Sequence, residues 1–319
     1  LYIYSSNNSM KKILYLLLLF CLTSASAQDN DSVKTAIQPF SKIAVPENAF
    51  VFYVIGDWGR KGKHHQRNVA EAMDKCAALV PPEFIISTGD NFYTFGVKST
   101  KDKLWKKSYE NIYNGANIKS TDWYPVLGNH DHYGNQQAEI DYSKLNPHWK
   151  MPSDYFSATM QSSFGAKMLF VYTNTEPLVR SKNTAVTQQW NWIDSTLSNS
   201  DAAWKFVIGH HPVYSSNTTH GDSPLLIEKL KPMLEQYKVQ AYFCGHDHDL
   251  QHQQPKGSTV DYFVSGAGSE LRPSSSYQHT LFAQSTAGFI IVAIVDNTMN
   301  VYFIDEQQNV IYQYSKKTD

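Results

Sequence analysis

Cysteine is nearly absent from this chain: Cys21, Cys76 and Cys244 are the only three among 319 residues. With no Cys-x-x-Cys pair, the sequence excludes a disulfide framework, dithiol redox chemistry and a Cys-rich zinc site. Cys76 and Cys244 are expected as two buried thiols. An excess of one charge is also missing. Lys and Arg total 28 against 29 Asp and Glu, a formal net charge of -1, which excludes a globally basic nucleic-acid binder. Charged residues are only 18% and hydrophobic ones 42%, which rules out a disordered chain. The apolar run Ile13–Leu22 is too short to cross a bilayer as a helix, so no stable membrane span is expected. Neither a phosphate-loop Gly-Lys-Ser/Thr pattern nor Gly-x-Ser-x-Gly occurs.

Met10-Lys11-Lys12, that apolar run and Ala25-Ser26-Ala27 make a secretory signal. Residues 1–9 read as sequence upstream of an initiator at Met10, and the mature chain is expected to start at Gln28 and to be exported, periplasmic or secreted. Residues 28–45 form an expected flexible lead and 46–319 a single domain.

Beyond residue 50 one unit recurs. A run rich in Val, Ile and Phe stops at Gly plus a polar residue, and a helical pattern follows. The runs are Phe50–Ile55, Phe84–Ile86, Tyr124–Leu127, Phe206–Ile208 and Ala241–Cys244. Helices are expected over Gln66–Leu79, Lys101–Tyr113, Thr187–Leu197 and Leu225–Tyr237. The tail turns to strands alone, at Tyr262–Ser265, Phe289–Val295, Val301–Ile304 and Val310–Tyr314. This is an α/β (α+β) pattern of stacked sheets flanked by helices.

What the chain does have is twelve histidines, the side chain most often used to hold metals. The five runs end in Gly56-Asp57-Trp58-Gly59, Gly89-Asp90-Asn91-Phe92-Tyr93, Gly128-Asn129-His130-Asp131, Gly209-His210-His211-Pro212 and Gly245-His246-Asp247-His248. In open α/β sheets functional groups collect outside the carboxyl ends of the strands, so five distant turns can meet in one crevice. Asp, Asn and His without a thiolate suit Zn, Mn or Fe. A carboxylate can bridge two cations about 3.5–4 Å apart, the arrangement that activates water and neutralises a phosphoryl group.

These turns resemble the calcineurin-like metallophosphoesterase pattern, and from about Phe50 to the C-terminal strands the chain is similar to the small, mammalian-type purple (tartrate-resistant) acid phosphatases. Gly89-Asp90-Asn91-Phe92-Tyr93, Gly128-Asn129-His130-Asp131-His132 and Cys244-Gly245-His246-Asp247-His248 carry the resemblance, with Tyr93 the discriminating residue. It implies two stacked mixed β-sheets flanked by helices, a four-layer αββα sandwich, and a metallophosphoesterase domain over 46–319. It also implies two metal ions: Fe(III) on Asp57, Tyr93 and His248, with Asp90 bridging to a divalent Fe, Zn or Mn on Asn129, His210 and His246.

Two further histidines match the family's proton-transfer pair: His130, with Asp131 as its expected orienting carboxylate, and His220, in an interval one residue longer than in the mammalian enzymes. The implied reaction is hydrolysis of small phosphate monoesters by a metal-activated hydroxide, with His as general acid and an acidic optimum. Phosphodiester or pyrophosphate hydrolysis on the same core is the nearer alternative, a non-catalytic binding module or a redox role the more distant ones. His211 replaces an aromatic residue and is read as pocket lining. The segment Thr175–Thr187 is shorter than the mammalian repression loop, which argues against proteolytic activation. The basic run Arg60–His65 is read as a solvated loop.

Overall fold

Strand β2 (Phe50–Ile55) is buried at all six positions, because both of its faces are covered and both of its edges are paired. The computed structural model describes residues 37–180 and 184–318, and the expected signal segment lies outside them. Before β2 come β1 (Gln38–Pro39) and a short 3-10 turn, Phe40–Lys42. After it follow α1 (Gln66–Ala77), β3 (Phe84–Ser87), β4 (Asp122–Pro125), α2 (Asn129–His132), α3 (Gln136–Tyr142), β5 (Phe156–Gln161) and β6 (Lys167–Tyr172). The chain continues through α4 (Thr175–Arg180), α5 (Thr184–Ser198), β7 (Trp204–Ile208), α6 (Pro224–Gln236) and β8 (Ala241–Cys244). It closes in β9 (Leu250–Gln253), β10 (Asp261–Ser265), β11 (Thr280–Gln284), β12 (Gly288–Val295), β13 (Thr298–Asp305) and β14 (Asn309–Lys317).

These strands make two mixed sheets, ordered β1-β14-β13-β12-β2-β3-β4 and β11-β9-β10-β8-β7-β6-β5. Parallel pairing joins β2, β3 and β4 in the first, and β6, β7, β8 and β10 in the second. Period-2 alternation explains how the layers stack. In the second sheet Phe170, Phe206 and Phe243 point inward and meet Phe52 of the first sheet edge-on, at 5.3, 5.6 and 5.8 Å between centroids. Their neighbours Val171, Val207 and Tyr242 point outward and join Ile193 and Leu197 of α5 and Leu226 and Leu230 of α6. On the far side α1 buries Val69, Met73 and Cys76, and the Tyr53 hydroxyl donates to the Val80 carbonyl at 2.8 Å. The αββα order expected of the family is therefore present. The described residues form one compact unit, and none of its helices is long and apolar enough to cross a membrane. Cys76 and Cys244 are buried free thiols, as expected.

Several boundaries differ from those read in the sequence. The latter part of the supposed flexible lead is tied down: Gln38 and Pro39 pair with β14, and Phe40 is buried against Tyr302. The expected helix over Lys101–Tyr113 contracts to a π-helix at Trp105–Glu110. Its wider turn is met by a side chain from outside, because the Gln66 amide donates to the Ser108 carbonyl at 2.7 Å and Ile112 turns back to Tyr109. Thr175–Thr187 holds α4 and the start of α5. Strands β5, β6, β9 and β11 are additions, none of which ends in the Gly-polar turn that marks β2, β3, β4, β7 and β8.

Phe52 sits at the centre of the inter-sheet contact with no exposed surface. Phe52→Ala is expected to cost about 3–5 kcal/mol of stability, measured by denaturant unfolding with circular dichroism.

Candidate metal centre

Each candidate ligand follows a parallel strand, and the strand order sets the neighbours. Asp57, Asp90 and Asn129 come from β2, β3 and β4, adjacent in the first sheet; His210 and His246 come from β7 and β8, adjacent in the second. The turns are stitched together by backbone bonds, Asp57 N–H to Gly89 C=O at 3.0 Å and Gly245 N–H to His210 C=O at 3.0 Å. Asp57, Asp90 and His246 adopt positive φ values of 58°, 51° and 71°. Such backbone is strained for a residue with a Cβ and collects at functional sites. Glycine is required where turns touch: a Cβ on Gly128 would lie 2.2 Å from Asp90 Oδ1, and one on Gly245 2.4 Å from Asp57 Oδ2.

The donor atoms fall into two groups. In one, the Tyr93 hydroxyl lies 2.9 Å from Asp57 Oδ1 and 3.0 Å from His248 Nε2, with His248 Nε2 3.4 Å from Asp57 Oδ1. In the other, His210 Nε2 lies 3.1 Å from Asn129 Oδ1, 3.1 Å from His246 Nδ1 and 3.5 Å from Asp90 Oδ1. Asp57, Asp90 and His210 also bring donor atoms within 4.8 Å of one another, linking the groups. Ligands bonded at about 2.0–2.2 Å to one cation lie roughly 2.8–3.6 Å apart at tetrahedral or octahedral angles, and each separation given within the two groups falls there.

Chemistry supports a cation at each group. His210 Nδ1 donates to the Thr88 carbonyl at 2.9 Å, which leaves Nε2 of the neutral ring as a lone pair. That lone pair faces the oxygens of Asn129 and Asp90, acceptor against acceptor. Burial disfavours the His210 imidazolium, yet Asp90 and Asp57 outweigh it and raise the pKa, so the surrounding carboxylates favour positive charge at this position. Burial also drives His246 well below the usual imidazole range, helped by His211 and His210, which keeps it a neutral donor. Asp57 is buried as well, but His248 and His210 hold its carboxyl low. The Tyr93 phenol is pushed well above 10 by burial, then by Asp57 and Asp90. Only a strongly Lewis-acidic ion can displace its proton.

The two expected proton-transfer histidines flank the donors. His130 packs on Tyr93 at 4.5 Å, and its Nε2 lies 3.9 Å from Asp90 Oδ2. His220 stacks on His246 at 4.2 Å. Asp131 does not orient His130, contrary to the sequence reading. Its carboxylate faces inward and accepts the backbone N–H groups of Asn91, Phe92 and Gly128 at 3.0, 3.0 and 2.8 Å, tying two ligand turns together. Burial and nearby Asp90 raise its pKa to about 7. The Thr94 carbonyl holds His130 instead, through Nδ1 at 2.6 Å.

Other residues supporting the site escaped the sequence reading. Asp247, between two candidate ligands, accepts from His220 Nδ1 at 2.6 Å and from the Ser215 hydroxyl. Its place inside His246-Asp247-His248 was a usable signal. Arg60 is not part of a solvated loop: its guanidinium lies 3.5 Å from the Tyr93 ring centroid and pairs with Glu270 at 2.6 Å. Lys61, Lys63 and His64 are exposed as expected. His211 does not line an open pocket; it is buried behind His246, between Thr175 Oγ1 at 2.9 Å and Glu176 Oε2 at 3.2 Å. Trp58 and Phe92, each next to a candidate ligand, enter an aromatic cluster with Trp105, Trp123 and Trp149.

Two sheets whose strand ends converge on paired oxygen and nitrogen donors define the calcineurin-like phosphoesterase class, and residues 50–250 match that family. The chain belongs to the purple, or tartrate-resistant, acid phosphatases within it and is a metal-dependent phosphatase with a dinuclear centre. It is 31% identical to tartrate-resistant acid phosphatase type 5 of Oryctolagus cuniculus over 86% of this chain and 92% of that one. Against purple acid phosphatase 17 of Arabidopsis thaliana it is 31% identical over 93% and 92%. The solved structure of GAP50, the anchor in the inner membrane complex of Plasmodium, superposes with a TM-score of 0.77 at 26% identity over 86% and 90%.

Gly128→Ala is expected to displace the Asp90 carboxylate and lower the metal content per chain, measured by elemental analysis of the purified protein.

Proposed function

We propose that this protein is an exported acid phosphatase that hydrolyses small phosphate monoesters at an Fe(III)–M(II) centre, M being Fe, Zn or Mn. Asp57, Tyr93 and His248 would hold the ferric ion, Asp90 would bridge, and Asn129, His210 and His246 would hold the divalent ion. The observation that carries this reading is the Tyr93 hydroxyl set between Asp57 Oδ1 and His248 Nε2. An anionic, hard phenolate there favours Fe(III). When bound, the two cations supply Lewis acidity toward the phosphoryl oxygens and an activated water nucleophile.

The chain's own groups do the rest. His130, fixed through Nδ1, aims Nε2 at the site and gives its proton to the leaving oxygen. Asp247 fixes His220 with its proton on Nδ1 when neutral; when charged, His220 Nε2–H is free to bind a phosphoryl oxygen. Both roles need the imidazolium form, which alone can give a proton to the leaving oxygen and a second N–H to the phosphoryl group. A purely anchoring role of the kind named for GAP50 would require no convergence of buried, acceptor-facing donors, and their presence favours catalysis.

The loaded protein is expected to contain about two metals per chain and to absorb visible light through a ferric-phenolate transition. Tyr93→Phe should abolish the band, and a colourless, zinc-only active protein would overturn the ferric assignment. His130→Ala is expected to lower kcat on a chromogenic monoester by roughly 10²–10⁴-fold at unchanged metal content. Asp247→Asn should lower kcat and alter the pH profile, whereas a merely structural Asp247 would leave that profile in place.

A further inference from the structure

Phe95 and Tyr133 are large aromatic side chains left 69% and 58% exposed beside the metal centre. Their ring centroids are 6.4 Å apart. Tyr133 stands edge-on to His130 at 5.5 Å and 88°, and His130 lies 4.5 Å from Tyr93. Ring by ring, an aromatic wall runs from the candidate ligand Tyr93, past the acid His130, to solvent.

This wall is built on fixed backbone. A Cβ on Gly134 would lie 2.7 Å from the carbonyl oxygens of Phe95 and Val97, and one on Gly96 2.8 Å from that of Asp131, so the two loops touch main chain to main chain. Asn135 N–H donates to the Val97 carbonyl at 2.7 Å, and Gly96 N–H to that of Phe92 at 3.0 Å. Thr94, just before Phe95, is the residue whose carbonyl fixes His130. The exposed rings are therefore set in place relative to His130 Nε2, and an apolar surface so placed is a binding feature.

We propose that Phe95 and Tyr133 form the leaving-group subsite and select monoesters in which an aromatic ring is joined directly to the ester oxygen. This rests on the monoester reading above. The ester oxygen must come within about 2.6–3.2 Å of His130 Nε2 to take its proton. A ring attached to that oxygen then lies beside Tyr133, whereas a small alkyl group leaves the wall uncovered and a nucleoside interposes its sugar. The reaction balances as an ordinary hydrolysis: water's oxygen bonds to phosphorus, the ester P–O bond breaks, and the departing oxygen takes the His130 proton, which the attacking water restores. Aromatic pairing supplies roughly two- to tenfold per ring contact.

The test compares kcat/KM for phenyl phosphate and ethyl phosphate in metal-loaded wild type, Phe95→Ala, Tyr133→Ala and the double variant. Intrinsic leaving-group reactivity cancels when aryl-to-alkyl ratios are compared between proteins. The double variant is expected to lose about tenfold or more of that ratio, and Tyr133→Phe to keep it. An unchanged ratio overturns the subsite. Calorimetric titration with phenylphosphonate and methylphosphonate separates this proposal from the reaction it rests on. Wild type that hydrolyses neither ester refutes the monoester reading. A phenyl preference in binding that disappears in the double variant would still support the subsite, and one that persists overturns it.

Discussion

Seven donor atoms, two of them on buried carboxylates, are held close enough to repel one another, and the rest of the fold serves that crowding. Asp57 and Asp90 are 0% and 2% exposed, and His210 turns a lone pair toward oxygen. Left to itself such a set would spread apart or take up protons. It is held by strand pairing beneath each turn, by backbone forced into the left-handed region at Asp57, Asp90 and His246, and by Asp131 collecting three N–H groups from two turns. Beside two of the ligands, the next or preceding residue is an aromatic anchor. Trp58 and Phe92 lock Asp57 and Tyr93 into a cluster of indole and phenyl rings whose dense packing leaves the turns little freedom.

This order also explains which parts of the molecule could be read from the sequence. Strands β2 and β8 coincide with their apolar runs because each is a short stretch stopped by a glycine that geometry requires. Strand β5 alternates Phe156-Ser-Ala-Thr-Met-Gln and ends in no functional turn, so nothing set it apart from loop. The π-helix depends on Gln66, about forty residues away, reaching the Ser108 carbonyl, a contact that no local period encodes. Within the site, the convergence of the strand-end donor residues was legible because sheet topology alone brings them together. Orientation was not, since it depends on which way a side chain turns. Asp131 sits next to His130 in sequence but faces the other way, while Asp247, distant from His220, reaches it across a loop.

The two histidines proposed for proton transfer are secured by different means, with different consequences. His130 is tied to a carbonyl of the same loop that carries Tyr93, so its place follows that of the phenol. His220 comes from the loop between β7 and α6, is tied to a carboxylate between the candidate ligands His246 and His248, and its ring rests on the first of these. A shift at the first donor group therefore moves the proposed acid. A shift at the second moves the group proposed to face the phosphoryl oxygens. Loss of turnover and loss of binding are thus separable by which side is disturbed.

Both proposed ions draw ligands from both sheets. Asp57 and Tyr93 belong to turns of the first sheet and His248 to one of the second; Asp90 and Asn129 belong to the first, His210 and His246 to the second. Each ion would act as a clasp across the same interface that Phe52, Phe170, Phe206 and Phe243 fill from within. Free energy of binding at such a clasp adds to the stability of the sheet packing, because the donors converge only when the sheets are docked. The relation is reciprocal. Whatever loosens the aromatic interior weakens metal affinity, and whatever fills the centre tightens the interior, so the crowding of donors is relieved by the same event that completes the fold.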